Sequence, residues 1–117
     1  MSRDQRGAAT AELALGIPLL VSLTIGLVWL LTVGAAQVRM VDAARETARA
    51  AARGEPDPVS IARGRQVAPG AEVSVSDRDG RVVATARDRV PPPGGLFGFL
   101  PSVPVHAQAV TVAEVGP

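Results

Sequence analysis

The hydrophobic pattern of this chain changes in stages. Residues 1–7 form a short polar leader that holds Arg3, Asp4 and Arg6. Residues 13–36 carry no charge at all. At a helical rise of 1.5 Å per residue they reach about 36 Å, more than a hydrocarbon core of roughly 30 Å. This stretch predicts a membrane-spanning helix. Past Gln37 the pattern becomes amphipathic. On a helical wheel Arg39, Asp42, Arg45, Glu46, Arg49 and Arg53 share one arc, and Met40, Val41, Ala44, Ala48, Ala51 and Ala52 share the other. Asp42 with Arg45, and Glu46 with Arg49, stand at a spacing that permits ion pairs. One rod over residues 8–53, about 69 Å long, is therefore predicted. Gly54-Glu55-Pro56-Asp57-Pro58 ends it, since Gly suits a helix C′ position and the prolines forbid continuation.

The remainder is short. Asp57 and Pro58 read as the N-cap and first position of a helix over residues 58–67, closed by Pro69-Gly70. The period then becomes two. Residues 72–76 and 82–86 alternate as partner strands around Asp77-Arg78-Asp79-Gly80, a hairpin turn. A third strand is expected over residues 105–113, with Ala107, Ala109, Thr111 and Ala113 on one face. The fold class is α+β: a long N-terminal membrane-spanning helix continuing into an amphipathic helix, with a small head of a short helix and about three antiparallel strands. The domains are a leader at 1–7, the rod at 8–53 and a small head at 54–117. A head of this size is marginal alone, so it is expected to pack on the alanine face of the rod.

Composition narrows the chemistry. Aromatic residues are Trp29, Phe97 and Phe99, with no Tyr, so the core must be built from Val, Ala and Leu. The net charge of +1 gives no footprint for nucleic acid. The absence of Cys removes disulfides and thiolate chemistry. His106 is the sole histidine, and no metal site or triad can be assembled around it. Ser60, Ser74, Ser76 and Ser102 lack an identifiable base, and Asp79-Gly80 is explained by turn geometry. No phosphate-binding loop is present. The expectation is a protein that is not an enzyme, with no catalytic or metal-binding residues, no cofactor and no small-molecule substrate.

One segment departs from the usual polarity of loops. Pro91-Pro92-Pro93-Gly94-Gly95-Leu96-Phe97-Gly98-Phe99-Leu100-Pro101 holds both phenylalanines. Leu96, Phe97, Phe99 and Leu100 must meet the core of the head, the membrane surface or a partner.

Three readings compete for the apolar run. A secretory signal would be cut after Gly34-Ala35-Ala36, but its apolar region is far longer than the roughly 7–15 residues such signals use. An uncleaved anchor needs neither small residues before the membrane nor a carboxylate at its mouth. The third reading uses both features. Arg6-Gly7-Ala8-Ala9-Thr10-Ala11-Glu12-Leu13-Ala14-Leu15-Gly16-Ile17-Pro18 resembles the TadE-like family, the pseudopilins or minor pilins of tight-adherence (Flp-type) type IV pili. Pro18 follows Glu12 at the family spacing, although Leu13 stands where an aromatic residue is usual. Asp42-Ala43-Ala44-Arg45-Glu46-Thr47-Ala48-Arg49 is similar to the stretch these proteins carry beyond the membrane. The resemblance covers roughly the first 53 residues.

It implies cleavage between Gly7 and Ala8 by a prepilin-type peptidase, and a role for Glu12 in pairing with an N-terminal amine during assembly. It also implies partners among other pilin-like subunits and the pilus assembly platform. The location implied is the cytoplasmic membrane, single-pass, with the N-terminus cytoplasmic and the head outside. Charge alone does not give that orientation, because Arg39, Arg45, Arg49 and Arg53 follow the span. Pro18 frees the carbonyl of Ala14, so a kink over residues 14–18 is one expectation and a tolerated membrane proline the other. The reading that competes with a pilin-like subunit is a generic anchored binding module.

Overall fold

A computed structural model describes residues 3–113. Met1 and Ser2 of the expected leader, and the last four residues of the expected head, lie outside the described residues. Helix α1 runs over Arg3–Ala52, α2 over Asp57–Val67, and strands β1, β2 and β3 over Glu72–Arg78, Arg81–Val90 and Val103–Val112. The molecule is a rod with a head on one side, 87 × 22 × 21 Å.

The helix begins at Arg3, inside the leader and ahead of the rod expected from residue 8. Ala8, Ala9 and Ala11 are strong helix formers, and Asp4 in the first turn complements the helix dipole, so the helix extends backwards. At its other end α1 stops in a Schellman motif. Gly54 takes φ +89°. Its N–H donates to the Ala51 carbonyl at 3.0 Å, and the Glu55 N–H donates to the Ala50 carbonyl at 3.2 Å. Helix α2 begins one residue earlier than expected. Pro56, with ψ 149°, is its cap residue, and its carbonyl accepts the Ser60 N–H at 3.0 Å. Asp57 lies within the first turn and makes no capping bond. Gly70 has φ +87°, and the Ala71 N–H donates to the Ala68 carbonyl at 3.1 Å, a type II turn with Pro69 at its second position.

The sheet has the order β1-β2-β3, antiparallel throughout. Asp79 (φ 53°) and Gly80 (φ 75°) form a two-residue type I′ turn that pairs Arg78 with Arg81. That turn sets the register, Val73 opposite Ala86 and Val75 opposite Ala84. β2 and β3 run further than the alternating stretches, to Val90 and back to Val103. Alternation holds on β3, with Val105 buried, Ala107, Ala109 and Thr111 half-buried, and His106, Gln108 and Val110 exposed.

One hydrophobic cluster joins rod and head. Met40, Ala43 and Ala44 of α1 meet Ala68, Ala71, Val73, Ala86, Val90 and Val105. Thr47 and Ser60 are buried polar residues of α1 and α2. The Thr47 hydroxyl donates to the Ala43 carbonyl at 2.8 Å, and the Ser60 hydroxyl donates to the Glu55 carbonyl at 3.4 Å. Gly64 lets α2 cross closely. A Cβ there would collide with Thr47 Oγ1 and stand 3.3 Å from the Ala43 carbonyl oxygen. Among the described residues the ion pairs are Arg53–Glu55, Arg63–Glu55 and Arg87–Glu72. The expected pairs on the outer arc of α1, Asp42–Arg45 and Glu46–Arg49, are not formed. At a few tenths of a kcal/mol each, they do not offset the entropy of long solvated side chains.

Candidate functional site

Gly7, Ala8 and Glu12 are exposed on the first turns of α1. The position of a Cβ on Gly7 meets open space. The Gly7–Ala8 peptide bond therefore has no steric shield, but it lies inside a helix. The Thr10 hydroxyl, donating to the Arg6 carbonyl at 2.9 Å, straddles it. Hydrolysis needs that turn to open, and Gly7 makes opening about 1 kcal/mol easier than alanine would. Glu12 marks the last charge before the uncharged span. Cleavage at Gly7–Ala8 would leave a new ammonium one helical turn from its carboxylate. α1 passes through Pro18 without interruption.

A second feature was not expected from the sequence. Ser22, Gly26, Trp29, Val33, Ala36, Met40, Ala43, Thr47 and Ala50 form a continuous covered stripe on α1, half-buried as far as Ala36 and buried beyond it. Their spacing alternates between four and three residues, the spacing of a heptad seam. Trp29, Val33 and Ala36, inside the uncharged span, pack against the head's cluster. The leucines of the span, such as Leu19, Leu23, Leu27 and Leu31, are exposed. Ser22, Gly26, Ala36, Ala43, Thr47 and Ala50 are small while Trp29, Val33 and Met40 are not, so neither hydrophobicity nor side-chain volume alone marks the stripe.

The Pro/Gly loop covers the lower end of this stripe. Gly95–Phe97 forms a 3-10 turn, with the Gly98 N–H donating to the Gly95 carbonyl and the Leu100 N–H to the Phe97 carbonyl, both at 3.1 Å. Phe97 rests on Gly26, where a Cβ would stand 3.1 Å from its Cζ. Pro91, Pro92 and Pro93 lie against Thr24, Ile25, Val28, Trp29 and Thr32 across an open cleft of about 360 Å³. The four apolar residues of the loop thus divide. Phe97 and Leu100 are half-buried, while Leu96 is 67% and Phe99 81% exposed.

Gln37 fastens the head just above the span. Its Nε2 donates to the His106 carbonyl at 2.7 Å, and the His106 N–H donates to its Oε1 at 3.2 Å. The amide thereby occupies the open edge of β3 as a neighbouring strand would. The His106 ring side, with Glu72, Arg87, Asp88 and Arg89, borders an exposed depression of about 480 Å³. Arg87 Nε donates to Glu72 Oε2 at 2.8 Å there, which ties up the carboxylate, and no nucleophile lies alongside. Among the described residues no cluster of His, Cys, Asp and Glu is arranged to hold a metal ion.

A helix long and apolar enough to cross a membrane, set near the N-terminus and bearing a small α+β head, is consistent with a single-pass membrane anchor that carries a head. Comparison with known proteins gives the class its family. The model of the family described as TadE-like protein matches residues 7–49, beginning at Gly7 itself. The chain is also 38% identical over 106 residues to Apoptosis inhibitor Rv3655c of Mycobacterium tuberculosis (strain ATCC 25618 / H37Rv), an alignment covering 90% of this chain and 78% of that protein. No solved structure matches. The chain belongs to the TadE-like family, whose members are pilin-like proteins associated with tight-adherence pili.

Proposed function

We propose that this chain is a pilin-like subunit that takes part in assembling a tight-adherence type IV pilus, after a prepilin-type peptidase cuts between Gly7 and Ala8. The observation that carries the reading is the exposed Gly7–Ala8 bond with Glu12 one turn beyond it, at the mouth of a span whose far end bears the head. A pilin needs each part. The new amine and Glu12 pair between neighbours, the apolar half of α1 forms a filament core, and the head decorates it. The N-terminus is cytoplasmic and the head extracytoplasmic in this arrangement.

The covered stripe speaks against secretory cleavage after Ala36. Trp29, Val33 and Ala36 support the head's cluster, and cutting there would remove Trp29, Val33 and the rest of the span. A second reading takes its motive from the mycobacterial relative, which is named as an apoptosis inhibitor. In it the head is an anchored binding module, and the same surfaces engage a target outside any pilus.

The test is the amino terminus of the protein recovered from membranes of cells expressing it with a prepilin peptidase. Ala8 is expected, and Met1 when the peptidase is absent. Intact Met1 in both cases favours the anchored module. Gln37 as first residue refutes both readings.

A further inference from the structure

We infer that the loop over residues 91–101 is a membrane-inserted wedge, seated in the leaflet on the head's side of the bilayer with Leu96 and Phe99 among the lipid chains. The inference requires α1 to cross a membrane, as proposed above, and requires nothing of pilus assembly.

The length of α1 forces the loop to the bilayer. A hydrocarbon core of roughly 30 Å needs about 20 helical residues. If Arg6 is the last residue kept out on the leader side, the core reaches to about Gly26. If Glu12 is also kept out, it reaches to about Thr32. Phe97 sits on Gly26, and the prolines border residues 24–32. In the first placement the loop lies at the hydrocarbon edge, and in the second roughly 9 Å inside it. The head-free part of the span, residues 13–21, would reach only about 14 Å and cannot cross a bilayer by itself.

The loop is built for that location. Residues 90–105 contain no charge, between Arg89 and His106. Leu96 and Phe99 point away from the protein, and the cleft between the prolines and α1 is lined by apolar and threonine side chains that suit an acyl chain. Lipid normally excludes irregular backbone because unpaired N–H and carbonyl groups are costly there. Pro91, Pro92, Pro93 and Pro101 bring no N–H, and those of Gly98 and Leu100 are bonded within the loop. The four prolines reduce the donor load, and the loop's other N–H and carbonyl groups can meet water in the interfacial zone while Leu96 and Phe99 reach below it.

The chain has no Cys, so single cysteines can carry an environment-sensitive fluorophore on the full protein in phosphatidylcholine/phosphatidylglycerol vesicles. Three sites are labelled separately: Phe99→Cys in the loop, Leu19→Cys in the span and Asp79→Cys in the hairpin turn. Leu96→Cys repeats the loop measurement. All four positions are exposed, so the label displaces no core. At Phe99→Cys the expected result is a blue-shifted spectrum, quenching by chain-brominated lipid, and iodide quenching several-fold weaker than at Asp79→Cys. Iodide access at Phe99→Cys equal to that at Asp79→Cys, with Leu19→Cys in lipid, overturns the wedge and leaves the span standing. Iodide access at Leu19→Cys removes the span itself and the wedge with it. Protection at Phe99→Cys that disappears when the protein is diluted in lipid assigns the loop to contact between copies and overturns the lipid assignment.

Discussion

At the scale of single residues, Glu12 separates the pilin-like reading from a plain anchor. It is exposed at the end of the uncharged span, where interfacial water can solvate it. Its interaction with the helix N-terminal dipole is worth about 0.3–1 kcal/mol. Drawn into an apolar bundle, an unpaired carboxylate costs on the order of 2.5–3.5 kcal/mol on translocon scales, so assembly must supply a positive partner. In the proposed assembly the Ala8 ammonium of a cleaved neighbour would be that partner. Glu12→Gln retains the shape and loses the charge. The expected outcome is normal membrane level and normal cleavage with loss of surface pili and of co-purifying subunits. Wild-type piliation in the Gln variant would leave Glu12 an interfacial residue and nothing more.

At the scale of elements, the close crossing of α1 and α2 depends on Gly64. Ala gains about 1 kcal/mol of helix propensity over Gly, while overpacking a tight contact costs typically 1–3 kcal/mol. The added methyl would meet Thr47 Oγ1, the Val73 methyl at 3.1 Å and the Ala43 carbonyl oxygen at 3.3 Å, and the hydroxyl is held by its own bond to that carbonyl. Gly64→Ala is therefore expected to lower the melting temperature of the detergent-solubilised protein. Adding Thr47→Ala should recover part of the loss, and an unchanged or raised melting temperature in the single variant would disprove the close crossing. The elements themselves were legible in the sequence. Alternation marked the strands, Asp79-Gly80 fixed the hairpin and Gly54 the end of α1. The buried face of α1 was only half legible. The wheel grouped Met40, Ala44, Ala48 and Ala52 correctly, but it missed Ala43, Thr47 and Ala50, which are buried. Two elements cover α1 from different sides: α2 lies over Ala43 and Thr47, and β3 flanks Ala48. A wheel drawn for one helix cannot show how wide its cover will be. The role of Gln37 was hidden for a related reason. Its partner is backbone far along the chain, which no side-chain pattern announces.

At the scale of the whole molecule, the head has no core of its own. Met40, Ala43 and Ala44 belong to the same cluster as the buried residues of α2 and the sheet, and the sheet contributes chiefly alanine and valine. Three strands with such side chains bury too little apolar surface by themselves to offset chain entropy. Residues 54–117 expressed without α1 are expected to show no cooperative thermal transition and rapid amide exchange throughout. A folded, soluble fragment of that length would show the rod to be a tether only.

The 3-4 spacing of the covered stripe also has a mechanical consequence. A seam repeating every seven residues drifts about 20° per heptad around a straight helix, so between Ser22 and Ala50 it turns by about 80°. The head grips the rod along a shallow screw rather than a straight line. A pull directed along the rod's axis loads the contacts from Phe97 to Gly64 side by side, in shear, and does not peel them one after another. If α1 is drawn out of a bilayer, as the pilin-like reading requires, the head must move with it as a single body.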